Sequence, residues 1–507
     1  MRTRSIPFAV PAVALVLVVL IAFPGVAGEG ESAARTEERA AGEGSARDPD
    51  VPAPSARYWN LFYIIDSFLA RPDLRGLRIG MLVRSLETGE VLFEANADSA
   101  FIPASNMKIV TGAAALSILG PDYRFVTEVA TDAPEVETAL DGNLYVVGSG
   151  DPSLVSEELW KLVERIEMLG VEEIAGDVVL DASAFDTARA ATPGGPSGDR
   201  AYHARLSGLS LNFNAIAVHV RPGRKAGDRA LVRLAPPVGA IEVRNSAETC
   251  ARGEDRVEIR RLTENGRDVI AVSGRIRATS PERIVYRNVG DPVAYFGGAL
   301  EEYLRRSGVE IRGVVRAGTA PESRVTLFEH ESKPLSLIVR DLNKYSNNFV
   351  AEQLIKAADA AIHGVPGTTA GGVAAVEDFL EERGLGRARI RIVDGSGFSR
   401  RNRLSPRAIV GVIGRALESF ETSYEFAASL SVSGTDGTLE DRMGWSGVRG
   451  SVRAKTGLLD GVSAISGIAR TVDGERAAFS IISNGYTCEA WKVHDLEHAL
   501  LAAVVGG

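Results

Sequence analysis

Cysteine is scarce. The 507-residue chain carries two, Cys250 and Cys488, too few for a disulfide framework or a cysteine-built metal cluster. An excess of positive charge is also absent: 57 Lys and Arg stand against 66 Asp and Glu, a net charge of −9. That balance gives no support to nucleic-acid binding, which needs a basic face. No fixed-period repeat runs along the chain, so a repeat architecture is not expected. Beyond the N-terminus no stretch is long and apolar enough to span a bilayer, which takes roughly 20 residues. What remains is ordinary globular composition, 45% hydrophobic and 24% charged. At roughly 150 residues per domain the length suggests about three domains.

Residues 1–28 read as an export signal. Arg2 and Arg4 supply the positive end, Phe8 to Phe23 the apolar stretch, and Gly25 to Gly28 the small residues for cleavage near Ala27. An uncleaved anchor is the alternative and would leave a peripheral membrane contact. In either case the chain is exported, to a periplasmic or extracytoplasmic place. Residues 29–56 hold almost no large apolar side chain, so they read as a disordered linker.

Tyr58 to Ala70 has the pattern of an amphipathic helix, and Leu77–Val83 with Val91–Glu94 that of a hairpin. A buried helix is expected to open near Ser105. Residues 126–283 differ in texture: short apolar runs such as Val178-Val179-Leu180 alternate with Gly, Asp and Pro, a strand-rich pattern. Thr187–Arg205 reads as a loop. Helical patterns return at Ala294–Arg306, Leu335–Lys356, Gly371–Arg383 and Pro406–Leu417. Strands around Arg453, Val462–Ile468 and Ala477–Ile482 follow, then a helix from Cys488 to Val504. The expectation is an α+β catalytic domain built from both chain ends, 57–125 and 284–507, with a strand-rich insertion of one or two domains at 126–283.

Three short constellations could carry chemistry. Ser105-Asn106-Met107-Lys108 at a helix start puts Ser105 and Lys108 on one face, three residues apart. A serine needs a neighbouring base, and a desolvated lysine can be one. The helix N-terminus can in addition stabilise an oxyanion. In Lys344-Tyr345-Ser346-Asn347-Asn348, Ser346 can relay a proton and Asn348 can bond both a substrate amide and the lysine. In Lys455-Thr456-Gly457, the lysine and threonine can bind a carboxylate, and Gly457 lets a substrate backbone come close. Each alone is weak, because helices, turns and strand ends contain such triplets by chance.

The ordered set is stronger. Ser-x-x-Lys, then Ser-x-Asn far downstream, then Lys-Thr-Gly is the signature of active-site-serine penicillin-binding proteins and β-lactamases. The long gap between the first two resembles the class C low-molecular-mass penicillin-binding proteins, the D-alanyl-D-alanine carboxypeptidase/endopeptidase family. Val147–Leu154, Leu211–Asn214, Asp394–Arg400, Gly434–Leu439 and Gly461–Gly467 look like the same family. The resemblance implies a β-lactamase/transpeptidase-like domain acting on peptidoglycan stem peptides, with no metal or organic cofactor and with β-lactams as inhibitors. It implies that Ser105 attacks the carbonyl between two D-alanines and Lys108 takes its proton. Ser346 with Lys455 serves the leaving group, Asn348 positions substrate, and Thr456 with Lys455 holds the carboxylate. The backbone N–H groups of Ser105 and Leu458 form the oxyanion hole. Relatives' inserted domains bind the stem-peptide side chain, and Asp181 looks like a position that pairs with its amine; a strand-end turn is the other reading.

Two departures stand out. Asn347 replaces the commoner aspartate, and Leu458 replaces a Ser or Thr whose hydroxyl can help bind the carboxylate. Among competing readings, His494-Asp495-Leu496-Glu497-His498 matches an inverted zinc motif but has no downstream acid for a third ligand. A β-lactamase would use the same serine and lysine, and an idle peptidoglycan-binding protein would need neither. Cys250 and Cys488 fall in what read as different domains, so unpaired thiols are expected.

Overall fold

Strand Arg476–Asn484 reads RAAFSIISN, and every residue between its ends is buried. A strand without alternation is covered on both faces. It is one of the four inner members of an antiparallel six-stranded sheet, ordered Ser431–Val432, Val452–Leu459, Val462–Arg470, Arg476–Asn484, Arg78–Ser85, Val91–Ala95. The two chain ends meet here, with Arg78 opposite Asn484 and Ser85 opposite Ala477. The computed structural model describes residues 58–187, 198–386 and 390–506. The export segment and linker expected over 1–56, and the middle of the loop expected over 187–205, lie outside them.

One face of this sheet is closed by helices Trp59–Leu69 and Ala490–Val505, whose Leu61, Ile65, Leu496, Leu500 and Val504 pack on Met81, Val83, Phe479 and Ile481. The other face carries helix Met107–Leu119. Every residue of that helix from Met107 to Leu116 is buried, Lys108 and Thr111 among them. A helix buried all round lies inside a core, and its polar members then need partners there. Around it lie helices Leu335–Tyr345, Asn348–His363, Thr369–Glu382 and Pro406–Glu418. Their ends follow from sequence. Thr368 and Ser405 accept N–H groups of the first turn, and Pro406 occupies the position where a missing N–H costs nothing.

A second core gathers Val146, Leu162, Ile166, Val178, Phe296 and Leu300. Its largest sheet runs Val315–Ala317, Val178–Asp181, Leu144–Gly148, Val126–Thr131, Val325–Glu331. Helices Ser156–Met168 and Pro292–Ser307 cover it, and a further lobe adds a four-stranded and a three-stranded sheet from residues 215–288.

Two expectations change. Helix Pro292–Ser307 and strand Val325–Glu331 belong to the second core, with Val325 opposite Thr131, so the strand-rich body runs on to about residue 331 rather than ending at 283. The single helical pattern over Leu335–Lys356 is two helices. Ser346 takes left-handed φ 58°, ψ 38° and ends the first, and Asn347 caps the second by accepting the N–H of Val350. Aspartate and asparagine are equally good caps, which accounts for asparagine at 347.

Candidate active site

The sequence Pro103-Ala104-Ser105-Asn106 enters the buried helix through a tight turn, Ala104–Asn106, rather than through the helix itself. Ala104 holds φ 47°, a left-handed value rare outside glycine, and so places the nucleophile candidate on a strained corner. The turn is pinned from beneath: Asn106 Nδ2 donates to Ser466 Oγ at 2.6 Å, and Ser466 Oγ donates to Ser480 Oγ at 2.8 Å, all buried in the sheet.

Lys108 lies at the centre. Its side chain is fully buried, and Nζ bonds Ser105 Oγ at 2.9 Å, Asn348 Oδ1 at 2.7 Å and the Ser396 carbonyl at 2.6 Å. All three acceptors are neutral. Burial therefore pushes the amine down to about 7, and the carboxylates of Asp394 and Glu352 pull back only in part. Lys455 is also fully buried. Burial and the charge of Lys108 hold it well below the usual lysine range, and its Nζ donates to the Thr456 carbonyl at 2.7 Å. The two amines thus share one low-dielectric cleft, where both cannot comfortably be charged.

The third motif lies on strand Val452–Leu459. Gly457 matters for a different reason from the one its sequence suggests. A Cβ there would sit 3.0 Å from both Pro103 O and Ser105 N, so the glycine lets the strand press against the nucleophile turn. The neighbouring strand Ser431–Val432 pairs only with Ala454 and Arg453, leaving that edge open from Lys455 onward. Leu458 is exposed, and Thr456 Oγ1 bonds Thr438 Oγ1 at 2.9 Å. The segment around Thr438 ties back to the second motif through Lys344 and Asp436, 2.6 Å apart. Ser346 stands at the corner between its two helices.

Asp181 is 3% exposed and accepts the N–H groups of Ser183 at 2.9 Å and Ala320 at 2.8 Å. It bonds to no residue of the three motifs. Those bonds set it in the strand-end turn, with one backbone donor on each carboxylate oxygen. One histidine of the zinc-like motif, His498, is otherwise engaged. Arg442 Nε donates to His498 Nε2 at 3.0 Å, and burial with that guanidinium lowers His498 to about 4. Cys250 and Cys488 are free thiols, each half-buried.

Sequence reasoning gave no role to Ser396, Thr438 or Glu352. The first two fall in stretches noticed only as familiar. Glu352 follows Asn348 by one helical turn, a spacing that puts both on one face and could have been read.

Comparison with known proteins gives one answer. The solved structure of penicillin binding protein 4 (dacB) from Haemophilus influenzae superposes with a TM-score of 0.74 at 23% identity, covering 87% of this chain and 98% of that one. The D-alanyl-D-alanine carboxypeptidase of Actinomadura sp. (strain R39) is 35% identical over 451 residues, 86% of this chain and 83% of the relative. D-alanyl-D-alanine carboxypeptidase DacB of Haemophilus influenzae is 26% identical, with 81% and 86% covered. Residues 62–503 match the D-Ala-D-Ala carboxypeptidase 3 (S13) family, and this chain, with its serine, two buried lysines and asparagine in one cleft, belongs to that family.

Proposed function

We propose that the chain is an active-site-serine DD-peptidase, cleaving D-alanyl-D-alanine stem peptides of peptidoglycan through an acyl-enzyme and acylated by β-lactams at Ser105. The observation that carries this reading is the set of acceptors around Lys108. A neutral amine has two N–H groups and one lone pair. Asn348 Oδ1 and the Ser396 carbonyl take the two hydrogens, which leaves the lone pair aimed at Ser105 Oγ. With its basicity lowered to about 7, Lys108 is neutral often enough to accept the hydroxyl proton.

An extended peptide can add to the open strand edge beside Lys455–Leu459 by main-chain pairing. Its carbonyl then meets Ser105, with the N–H groups of Ser105 and Leu458 receiving the oxyanion. Lys455 and Thr456 receive the terminal carboxylate. Ser346, with Lys455, returns a proton to the departing D-alanine. Water then releases the acyl group, so side chains, backbone and water supply every step. The second body touches the loop that follows Ser396: the rings of His203 and Phe398, two residues beyond Ser396, lie 5.4 Å apart. We assign to that body the binding of the stem-peptide side chain. The substrate implies an exported, extracytoplasmic enzyme, and no helix among the described residues is long and apolar enough to cross a membrane.

Mass spectrometry after penicillin treatment tests the reading. One stable adduct on the parent, none on Ser105→Ala, and release of D-alanine from a stem peptide are expected. Rapid penicillin turnover without D-alanine release would move the chain to the β-lactamases. Neither adduct nor D-alanine would overturn catalysis altogether.

A further inference from the structure

Close to Lys108 lies a buried carboxylate that the steps above do not use. Glu352 stands one turn after Asn348 on the same helix, Asn348–His363. It is 8% exposed. Its Oε1 accepts the N–H of Ser396 at 2.8 Å and its Oε2 that of Gly395 at 3.3 Å. Ser396 is thus held at both ends of its backbone, with its N–H on Glu352 and its carbonyl on Lys108 Nζ. Three more contacts fix the same loop. Thr111 Oγ1 donates to the Gly395 carbonyl at 2.7 Å, and Asp394 accepts the N–H groups of Gly397 at 2.7 Å and Ser399 at 2.6 Å. A Cβ on Gly397 would lie 1.8 Å from Ala104 O, so this loop also abuts the strained corner before Ser105.

A ring closes around the amine. From Lys108 Nζ it passes to Asn348 Oδ1, along one helical turn to Glu352, through the Ser396 N–H to the Ser396 carbonyl, and back to Nζ. Both hydrogens of the neutral amine are therefore directed from a single helix. We infer that Glu352 is a positioning residue, which holds the Ser396 carbonyl so that the Lys108 lone pair points at the Ser105 hydroxyl. This rests on Lys108 acting as the base of acylation. A carboxylate placed only to stabilise the loop would have no need to hold the same residue whose carbonyl meets Nζ. The charged groups bearing on Lys108 are Glu352 and Asp394, which favour its ammonium form, and Lys455, which shares its cleft.

The test separates acylation from binding. Glu352→Gln keeps one oxygen to accept the Ser396 N–H but loses the charge. Glu352→Leu keeps bulk and loses the acceptor. Stopped-flow acylation by a chromogenic β-lactam resolves the first, noncovalent dissociation constant from the acylation rate. The dissociation constant is expected to stay at the parent value. The acylation rate should fall by about tenfold in Glu352→Gln and about a hundredfold in Glu352→Leu, the loss expected of a reacting group misplaced by about 1 Å. In Glu352→Gln the acidic limb of the rate profile should also move to lower pH, because one carboxylate favouring the charged amine is gone. Should Glu352→Leu not fold, Glu352→Gln decides alone. Parent values for both rate and limb in Glu352→Gln, or a fall in binding that accounts for the whole loss, would overturn the inference. A parent that forms no adduct on Ser105 would instead overturn the base assignment itself.

Discussion

Lys108 and Glu497 are both wholly buried charge-bearing groups of the same body, and their surroundings are opposite. Glu497 accepts from the Arg442 guanidinium at 2.7 Å and from Ser463 Oγ at 2.6 Å, an opposite charge and a hydroxyl donor in direct contact. Lys108 has only a hydroxyl, an amide and a carbonyl within bonding distance, while its two nearby carboxylates hold backbone N–H groups instead. The carboxylate of Glu352 is itself pushed up, by burial first and then by Asp394. The difference teaches what burial does to charge. With a countercharge in contact, a buried ion is an anchor. With the countercharge one peptide away, it becomes a base.

Breaking each cluster should therefore give different signatures. The largest effect is expected from Lys108→Met. Acylation by labelled penicillin should fall by about 10⁴-fold or more, as when a general base is removed from a serine nucleophile. The same substitution should alter the dependence of stability on pH. Lys108 is lowered from 10.5 to about 7 in the fold, so between those values the unfolded chain binds more protons and parent stability rises with pH. That increment should be missing in Lys108→Met, measured as the difference between the two urea curves at pH 7 and pH 9. The parent's acylation rate should climb as pH rises through about 7.

Arg442→Met attacks the anchor. It strands Glu497 without its cation, and such losses cost about 3–5 kcal/mol, read from the urea midpoint. Acylation by the molecules still folded should suffer far less than in Lys108→Met. Equal damage to rate would erase the distinction between anchor and base. The smallest effect is expected from Arg256→Ala, on the exposed lobe, where the pair with Glu254 is more than three-quarters exposed on both sides. Exposed pairs of this kind add almost nothing. No change in melting temperature and none in acylation should follow.

Much of this was legible in the chain, and the exceptions have physical reasons. The three motifs could be found because each chemistry demands fixed spacing on one element, such as Ser105 and Lys108 about one turn apart. The break at Ser346 was hidden because apolar residues keep helical spacing through Leu342 and on to Phe349, although Asn347 is a capping residue in plain view. The extent of the second body was hidden because Val325–Glu331 finds its partner in Val126–Thr131, far upstream. Nothing local encodes such a pairing. Ser396 acts through its backbone, so its side chain gave no sign of its part.

The seam between Arg78–Ser85 and Arg476–Asn484 sets an order on biogenesis. Ser105 leaves the ribosome early, but the strand bearing Lys455 and the one that knits the termini together emerge among the last segments. Until they arrive, the hydroxyl has no neighbouring lysine on the sheet and no finished platform beneath it. A chain caught halfway through synthesis therefore lacks part of the cleft, and the site is assembled only when the two ends close on each other.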